Sequence, residues 1–459
     1  MTSWVKRSAR RVLSLLIAAR LNKLLVSILS RLAIRPLAVA NDGQEATTIL
    51  VLAPELFRDG ELDHLAHSGH FNILSFSELW LVRILQQFYA ADISMSSLAR
   101  YANPQASDPA HQAKREYRQF LTSLLPHLYR RLGINCVLGH HVHYIPGMDI
   151  GSVSDELGYP FLVFHREGLL ASRAIQRNVK ERLSGLGKFE GTHVAVHNEI
   201  VARNFADSGY VPEHLMTVLG AFRMDGFLNQ LSQRSPATLK RQAVLFAFMR
   251  SGLLGAPADD FYDGVYEIFA RVAMDVPDAE FIIKCKIERT SSWRKKITEK
   301  LLAAGIDPKS IPNLKIVGCG SPHRLIIESS VVSSFNSTTL LEAAIAGKRV
   351  IYPFFGGITD PRNRDVVYFD DDLDDFDEVF EVARCREDYA ALIRDGLDNP
   401  TGVPRRQSKA RDLFEKYISS LSGGSTDAYV RLIQHYVRRA SSVSVPGRSD
   451  QGTKELAVK

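Results

Sequence analysis

The sequence predicts an α/β protein of two successive Rossmann-like, doubly wound domains facing a cleft, preceded by an amphipathic N-terminal helix. Three observations predict it. From residue 48 onward, short continuously apolar runs alternate with longer helical patterns, as in parallel sheets covered on both faces. A polar stretch from Asn229 to Gln242, containing Ser-Gln-Arg-Ser-Pro-Ala, then interrupts the alternation like a connection between domains. Beyond it a second strand series begins. The 459 residues allow two such domains, and 45% hydrophobic with 24% charged residues is ordinary globular composition. Collagenous, disulfide-scaffold and wholly disordered chains are excluded.

The first element is the N-terminal segment. Residues 1–41 hold eight basic residues and no acid, so the rest of the chain, with 49 basic and 51 acidic residues, is net −2. The body therefore offers no global basic field for nucleic acid. Leu13, Leu16, Ile17, Leu21, Leu24, Ile28 and Leu32 recur at helical spacing, with Arg20 and Arg31 near the edge of the stripe. The uncharged run from Val12 to Ala19 is shorter than the roughly 20 residues a bilayer span needs. Three readings stay open: an interfacial helix on an anionic membrane, a helix packed on its own protein, and a cleaved presequence.

The first strand series follows residue 42. Its members are Thr48–Ala53, Phe71–Phe76, Asn135–Leu138, Phe161–Phe164, His193–Val196 and Met216–Leu219, with a mostly helical stretch from Glu78 to about Leu132. The second series is Val244–Phe248, Phe281–Ile283, Leu314–Val317, Val331–Phe335 and Val350–Tyr352, separated by helix-length segments. The expected division is 1–41 for the basic helix, 42–235 and 236–425 for the two domains, and 426–459 for a C-terminal helix with a disordered tail. Cys136, Cys285, Cys319 and Cys385 lie far apart with no Cys-x-x-Cys, which suits a reducing compartment better than a disulfide framework.

The most informative segment is Val331 to Val350, VVSSFNSTTLLEAAIAGKRV. It reads as a buried strand, a polar turn, a short helix and another strand. Asn336, Ser337, Thr338 and Thr339 fall where the helix begins, where unpaired N–H groups favour an anion. Glu342, one turn in, can accept two sugar hydroxyls, and Gly347 closes the helix. The turn suits a nucleotide, with phosphate on the turn and ribose on Glu342. Ordinary helix capping accounts for the same residue types.

Ser-Thr-Thr-Leu-Leu-Glu-Ala-Ala-Ile-Ala-Gly-Lys-Arg-Val-Ile resembles the donor-binding segment of GT-B glycosyltransferases, with Arg349 where proline is usual. It is most similar to bacterial capsule and surface-polysaccharide transferases, with CDP-glycerol phosphotransferases and UDP-GlcNAc 2-epimerases further off. The resemblance implies a nucleotide-sugar donor as substrate with no separate cofactor, and a glycan or lipid-linked acceptor. Val218-Leu219-Gly220-Ala221-Phe222-Arg223-Met224-Asp225 resembles the run into the interdomain linker of these enzymes. It assigns Arg223 and Asp225 to hinge and packing. Lys284, at the end of Glu280–Lys286, and Arg250, just past Val244–Phe248, match positions where a cation neutralises the donor diphosphate. Each is also compatible with an ordinary surface or loop cation.

The catalytic base is expected in the other domain. Phe164-His165-Arg166-Glu167-Gly168 follows a buried strand and crowds three ionisable groups onto one loop. Glu167 or His165 is the candidate base, with a salt-bridged loop as the plainer alternative. His140, His141 and His143 form a further cluster without a neighbouring acid or cysteine, weak grounds for a metal. Asp370–Asp372 belongs to an acidic run that reads as a solvated turn. The GT-B resemblance implies metal-independent transfer, so no metal is expected. The implied function is sugar transfer in surface-polysaccharide synthesis, in the cytoplasm and peripheral to the membrane through residues 1–41. Nucleotide-sugar epimerisation and phosphopolyol transfer are the alternatives.

Overall fold

A computed structural model describes residues 13–41, 46–57, 60–89, 97–233, 239–248, 264–286, 290–361, 367, 369, 376–401 and 404–442. Seven strands make the first sheet: β1 (Ile34–Ala38), β2 (Thr47–Leu52), β3 (Phe71–Phe76), β4 (Ile134–Gly139), β5 (Phe161–Phe164), β6 (His193–Val196) and β7 (Met216–Val218). Their order is β1-β3-β2-β4-β5-β6-β7. All neighbours are parallel except β1, which runs antiparallel to β3. β5 and β6 are buried along their whole length, which is why they read as unbroken apolar runs.

The second sheet holds β8 (Gln242–Phe246), β9 (Glu280–Lys284), β10 (Leu314–Val317), β11 (Val331–Ser333), β12 (Arg349–Pro353) and β13 (Glu381–Ala383). All are parallel, in the order β10-β9-β8-β11-β12-β13. This is the doubly wound order whose strand direction of travel reverses between β8 and β11. The first sheet reverses between β2 and β4. Two such sheets joined in series give the expected pair of Rossmann-like lobes, the GT-B architecture.

The helices used below are α1 (Asn22–Leu32), α2 (Glu61–His67), α3 (Glu78–Leu85), α4 (Pro109–Leu132), α5 (Ile145–Glu156), α6 (Arg223–Ser232), α7 (Pro322–Glu328), α8 (Thr339–Ile345) and α9 (Ser425–Ser442). Local chemistry sets their ends. Asp108 caps α4 by accepting the Ala110 N–H at 2.8 Å, Pro109 opens the first turn, and Gly133 stops it with φ +65°.

The N-terminal segment departs from a single free amphipathic helix. Helical residues 13–18 and α1 are separated by a break where Arg20 takes φ +53°, and a strand follows. Leu13, Leu16, Leu25, Val26 and Leu29 are buried in the first lobe. The reading of a helix packed on its own protein therefore holds for residues 13–32; residues 1–12 lie outside the described residues. β1 was invisible in the sequence because Pro36 interrupts it. An edge strand tolerates that missing donor, and the register slips between Pro36 and Ala38.

The lobes meet where their strands end. Leu169 and Ala171, in the loop after β5, are buried in the second lobe's core. The Ser172 hydroxyl donates to the Val367 carbonyl at 2.7 Å, and the Asn198 amide to the Tyr417 carbonyl at 2.6 Å. α9 then crosses back. Tyr429, Val430 and Ile433 cover one face of the first sheet beside Ile49, Val51, Cys136 and Leu138. Asp225 in α6 accepts the Ser425 and Thr426 N–H groups at 3.2 and 2.7 Å, so the connector caps the returning helix.

Candidate functional site

The polar turn after β11 sits at the switch point of the second sheet. β11 pairs with β8 through Ser333 and Leu245, and the Ser334 hydroxyl donates to the Phe246 carbonyl at 3.2 Å. Asn336 bends the chain with φ +46°, a left-handed conformation that asparagine tolerates better than most residues. Ser337, Thr338 and Thr339 are partly exposed along the crevice, whereas Asn336 is buried. The Ser337 oxygen accepts from the Thr339 hydroxyl at 2.8 Å and from its N–H at 3.3 Å, so part of the expected capping is realised.

Glu342 is the centre of this corner and is 1% exposed. Its Oε1 accepts from Nη1 of Arg223 at 2.9 Å, and its Oε2 lies 3.5 Å from Nε2 of His323. Arg223 Nη2 also donates to the Thr338 hydroxyl oxygen at 3.2 Å. Burial opposes ionisation of Glu342. The Arg223 charge, with hydrogen bonds from His323 and Thr338, outweighs it and holds the carboxyl well below the usual range. His323, in the first turn of α7, stacks on Phe227 of α6 with ring centroids 4.5 Å apart. The carboxylate is thus fixed by the connector between the lobes, not left open as the sequence reading supposed.

Sequence reasoning missed Arg223 and His323 as members of this corner. Arg223 was legible only as a linker residue, because nothing local names a partner 119 positions away. For His323 the available signal was Ser321-Pro322, a helix start that presents the next side chain at the switch-point end of the sheet.

Lys284 ends β9 and is buried. Its buried ammonium donates to the carbonyls of Cys285 and Gly318 at 2.9 and 2.7 Å. Gly318 follows β10, which flanks β9 on the side away from β8, so this contact draws the ammonium toward β10. Arg250 and Asp370–Asp372 lie outside the described residues.

In the first lobe, β4 and β5 are neighbours, and this collects the histidines. The His141 ring centroid is 3.9 Å from that of His143 and 4.2 Å from that of His165. His140 packs on Tyr144 at 4.6 Å. Burial pushes His140 down to about 3 and His165 down to about 4, with like-charge neighbours adding to the effect for His140. His141 and His143 are also lowered, by burial first. All four are neutral near pH 7. Nδ1 of His165 accepts the Val142 N–H at 3.5 Å, tying the two loops together. This buried, neutral ring braces the two loops. Glu167, 48% exposed with Arg166 at 3.5 Å, keeps an accessible carboxylate at the end of β5. Among the described residues, no group of three or more histidine, cysteine or acidic side chains could hold a metal ion.

No protein-family model matches the chain, and no curated protein matches it in sequence. Solved structures of similar chain path include a UDP-GlcNAc 2-epimerase from Neisseria meningitidis bound to UDP-GlcNAc, at 14% identity, 85% of this chain, 100% of that chain and TM-score 0.45. A glycosyltransferase from Rickettsia africae gives 13%, 86%, 99% and 0.46. An α,α-trehalose-phosphate synthase from Burkholderia xenovorans, in complex with glucose-6-phosphate, gives 12%, 85%, 100% and 0.45. Likeness at this level describes chain path and assigns no reaction.

Proposed function

We propose that this protein is a glycosyltransferase that moves a sugar from a nucleotide-sugar donor to a glycan or lipid-linked acceptor at a membrane surface. The observation that carries the reading is the Asn336–Glu342 corner. A hydroxyl-rich turn and an ionised glutamate stand together at the switch point of a doubly wound sheet, where such sheets bind ligands. Here the donor phosphates take the Ser337, Thr338 and Thr339 hydroxyls, and the ribose hydroxyls donate to Glu342 once the donor displaces the His323 contact at 3.5 Å and opens the buried carboxylate. Arg223 keeps that carboxylate charged, and therefore an acceptor only. Arg250 remains the candidate cation for the leaving diphosphate.

Glu167 acts as general base from the first lobe. It removes the proton of the acceptor hydroxyl as that oxygen bonds to the anomeric carbon. The bond from that carbon to the nucleotide phosphate breaks, and the turn stabilises the departing charge. No cofactor beyond the donor takes part in this scheme.

The test is turnover of labelled nucleotide sugars with and without a lipid-linked acceptor. Nucleotide release that requires acceptor supports transfer. Conversion of nucleotide sugar alone would replace this reading with epimerisation, and release of CMP with polyol phosphate in the product would replace it with phosphopolyol transfer. Wild-type nucleotide affinity in Glu342→Ala would remove the donor site from this corner.

A further inference from the structure

The N-terminal segment has two apolar faces, and the fold uses one. Leu25, Val26 and Leu29 of α1 are buried in the first lobe, where Asn22 bonds Ser123 of α4 at 3.0 Å and Arg131 bonds Ser30 at 3.2 Å. Leu24 and Leu32, on the same side of α1 as Ile28, face outward, and Leu15, Leu21, Leu37 and Val39 extend the exposed set. These six have 48 to 72% of their surface exposed. Among the described residues they are six of nine strongly exposed large hydrophobic side chains, and a seventh, Leu79, belongs beside them. Ser77 donates its N–H to the Ala33 carbonyl at 3.4 Å, which sets the start of α3 against the end of α1. The remaining two, Met274 and Leu302, are on the second lobe. So concentrated an apolar exposure exceeds the scatter expected of a soluble surface.

The charges around this face are all of one sign within the segment. Arg20, Lys23, Arg31 and Arg35 are exposed, and residues 13–41 contain no acid. Among the described residues, no helix is long and apolar enough to cross a membrane. Leucines ringed by cations on a helix lying along the surface match an anionic bilayer: the leucines enter the headgroup–acyl boundary while the cations meet lipid phosphates.

We propose that the first lobe docks on anionic membrane through this face, by insertion of Leu15, Leu21, Leu24 and Leu32 and attraction of Arg20, Lys23, Arg31 and Arg35 to acidic headgroups. The docking goes beyond the reaction class and does not depend on it. Its position has a consequence for the cleft. Ile34 pairs with Phe76 at the end of β3, so the junction of α1 and β1 lies at the same end of the sheet as the Glu167 loop, three strand positions from β5. A lipid-linked substrate would then enter from the docked side.

The experiment is flotation of the full chain with vesicles, either neutral phosphatidylcholine or containing about 30% phosphatidylglycerol, at roughly 0.1 M salt, where screening acts within about 10 Å. The wild-type protein should float with the anionic vesicles only. Each cation near such a surface strengthens binding about fivefold, so Lys23→Glu with Arg31→Glu should weaken it at least about 25-fold. Leu24→Ser with Leu32→Ser should weaken it by a similar factor, because each half-exposed leucine adds about five- to tenfold when covered. Circular dichroism and thermal midpoint check that both variants stay folded, as their side chains point outward. A wild-type chain that stays with the soluble fraction overturns the proposal. So does leucine-independent binding, or light scattering that shows the wild type as a dimer and the leucine variant as a monomer. The readout uses no donor, so it stands apart from the donor-site tests.

Discussion

Replacing Arg223 with methionine should cost the fold about 3–5 kcal/mol, the usual cost of stranding one charge of a buried pair. The partners justify that scale. Arg223 is 7% exposed, Glu342 is 1% exposed, and their closest contact is 2.9 Å. In Arg223→Met the carboxylate keeps only His323 and Thr338. Glu342→Leu should cost a similar amount, because it strands the guanidinium. The double variant removes both charges and should be at least about 2 kcal/mol more stable than either single variant, since replacing a whole buried pair with apolar groups is often close to neutral. Urea unfolding followed by circular dichroism measures all three. The pH dependence adds a second reading. In the wild type the depressed Glu342 pKa contributes stability above the unfolded value of 4.5, lost as the pH falls below it. Without Arg223, burial raises that pKa instead, so the Arg223→Met deficit should shrink as the pH falls from 7 toward 4.5. Single variants costing under about 1 kcal/mol, or a double variant as unstable as the sum, would refute the buried pair.

Three further outcomes are expected. His140 and His165 have folded pKa values of about 3 and about 4, below the unfolded 6.5, so their stabilising contribution is complete above pH 6.5 and declines as the pH falls toward those values. Each should cost on the order of 2 kcal/mol between pH 7 and 5, read as a falling urea midpoint; a flat profile would contradict their burial. Glu167→Gln should lower the turnover number by about 100-fold or more while leaving nucleotide affinity unchanged by calorimetry; full turnover would free Glu167 of the base role. Gly151→Ala should destabilise by about 1–3 kcal/mol in thermal or urea unfolding, because a Cβ there would sit 2.1 Å from the Phe161 ring in the packed layer of α5 on β5; a neutral result would show that Phe161 can yield.

Much of the architecture was legible because burial on both sides leaves a direct mark on sequence. Val163 and Phe164, or Ile282 and Ile283, lie in apolar runs whose length and spacing already imply parallel strands. β1 left no such mark, since Arg35 and Pro36 interrupt its pattern and only pairing with β3 makes it a strand. Removing residues 1–41 would strip an edge strand and the buried Leu25, Val26 and Leu29, not merely detach a surface helix.

The candidate site was half legible. The polar turn and Glu342 are neighbours in sequence, so their shared position on a strand-turn-helix could be inferred. What holds Glu342 could not: Arg223 reaches it through the path of the connector, and His323 arrives on α7 from a different crossover. Lys284 ends β9 as its sequence position implied, and the carbonyls of Cys285 and Gly318 that hold its ammonium left no mark in the sequence. Read as spacing, the histidines after β4 gave weak grounds for a metal, and His165 after β5 read as a candidate base. Packed together and buried, they are neutral rings that brace two loops.

The most direct measurement is a crystal structure of the protein with a bound nucleoside diphosphate. The account predicts the ribose hydroxyls within hydrogen-bonding distance of the Glu342 carboxylate and the phosphates against Ser337, Thr338 and Thr339, between the two lobes. A nucleotide bound elsewhere, with the Arg223–Glu342 pair unchanged and the turn empty, would contradict it.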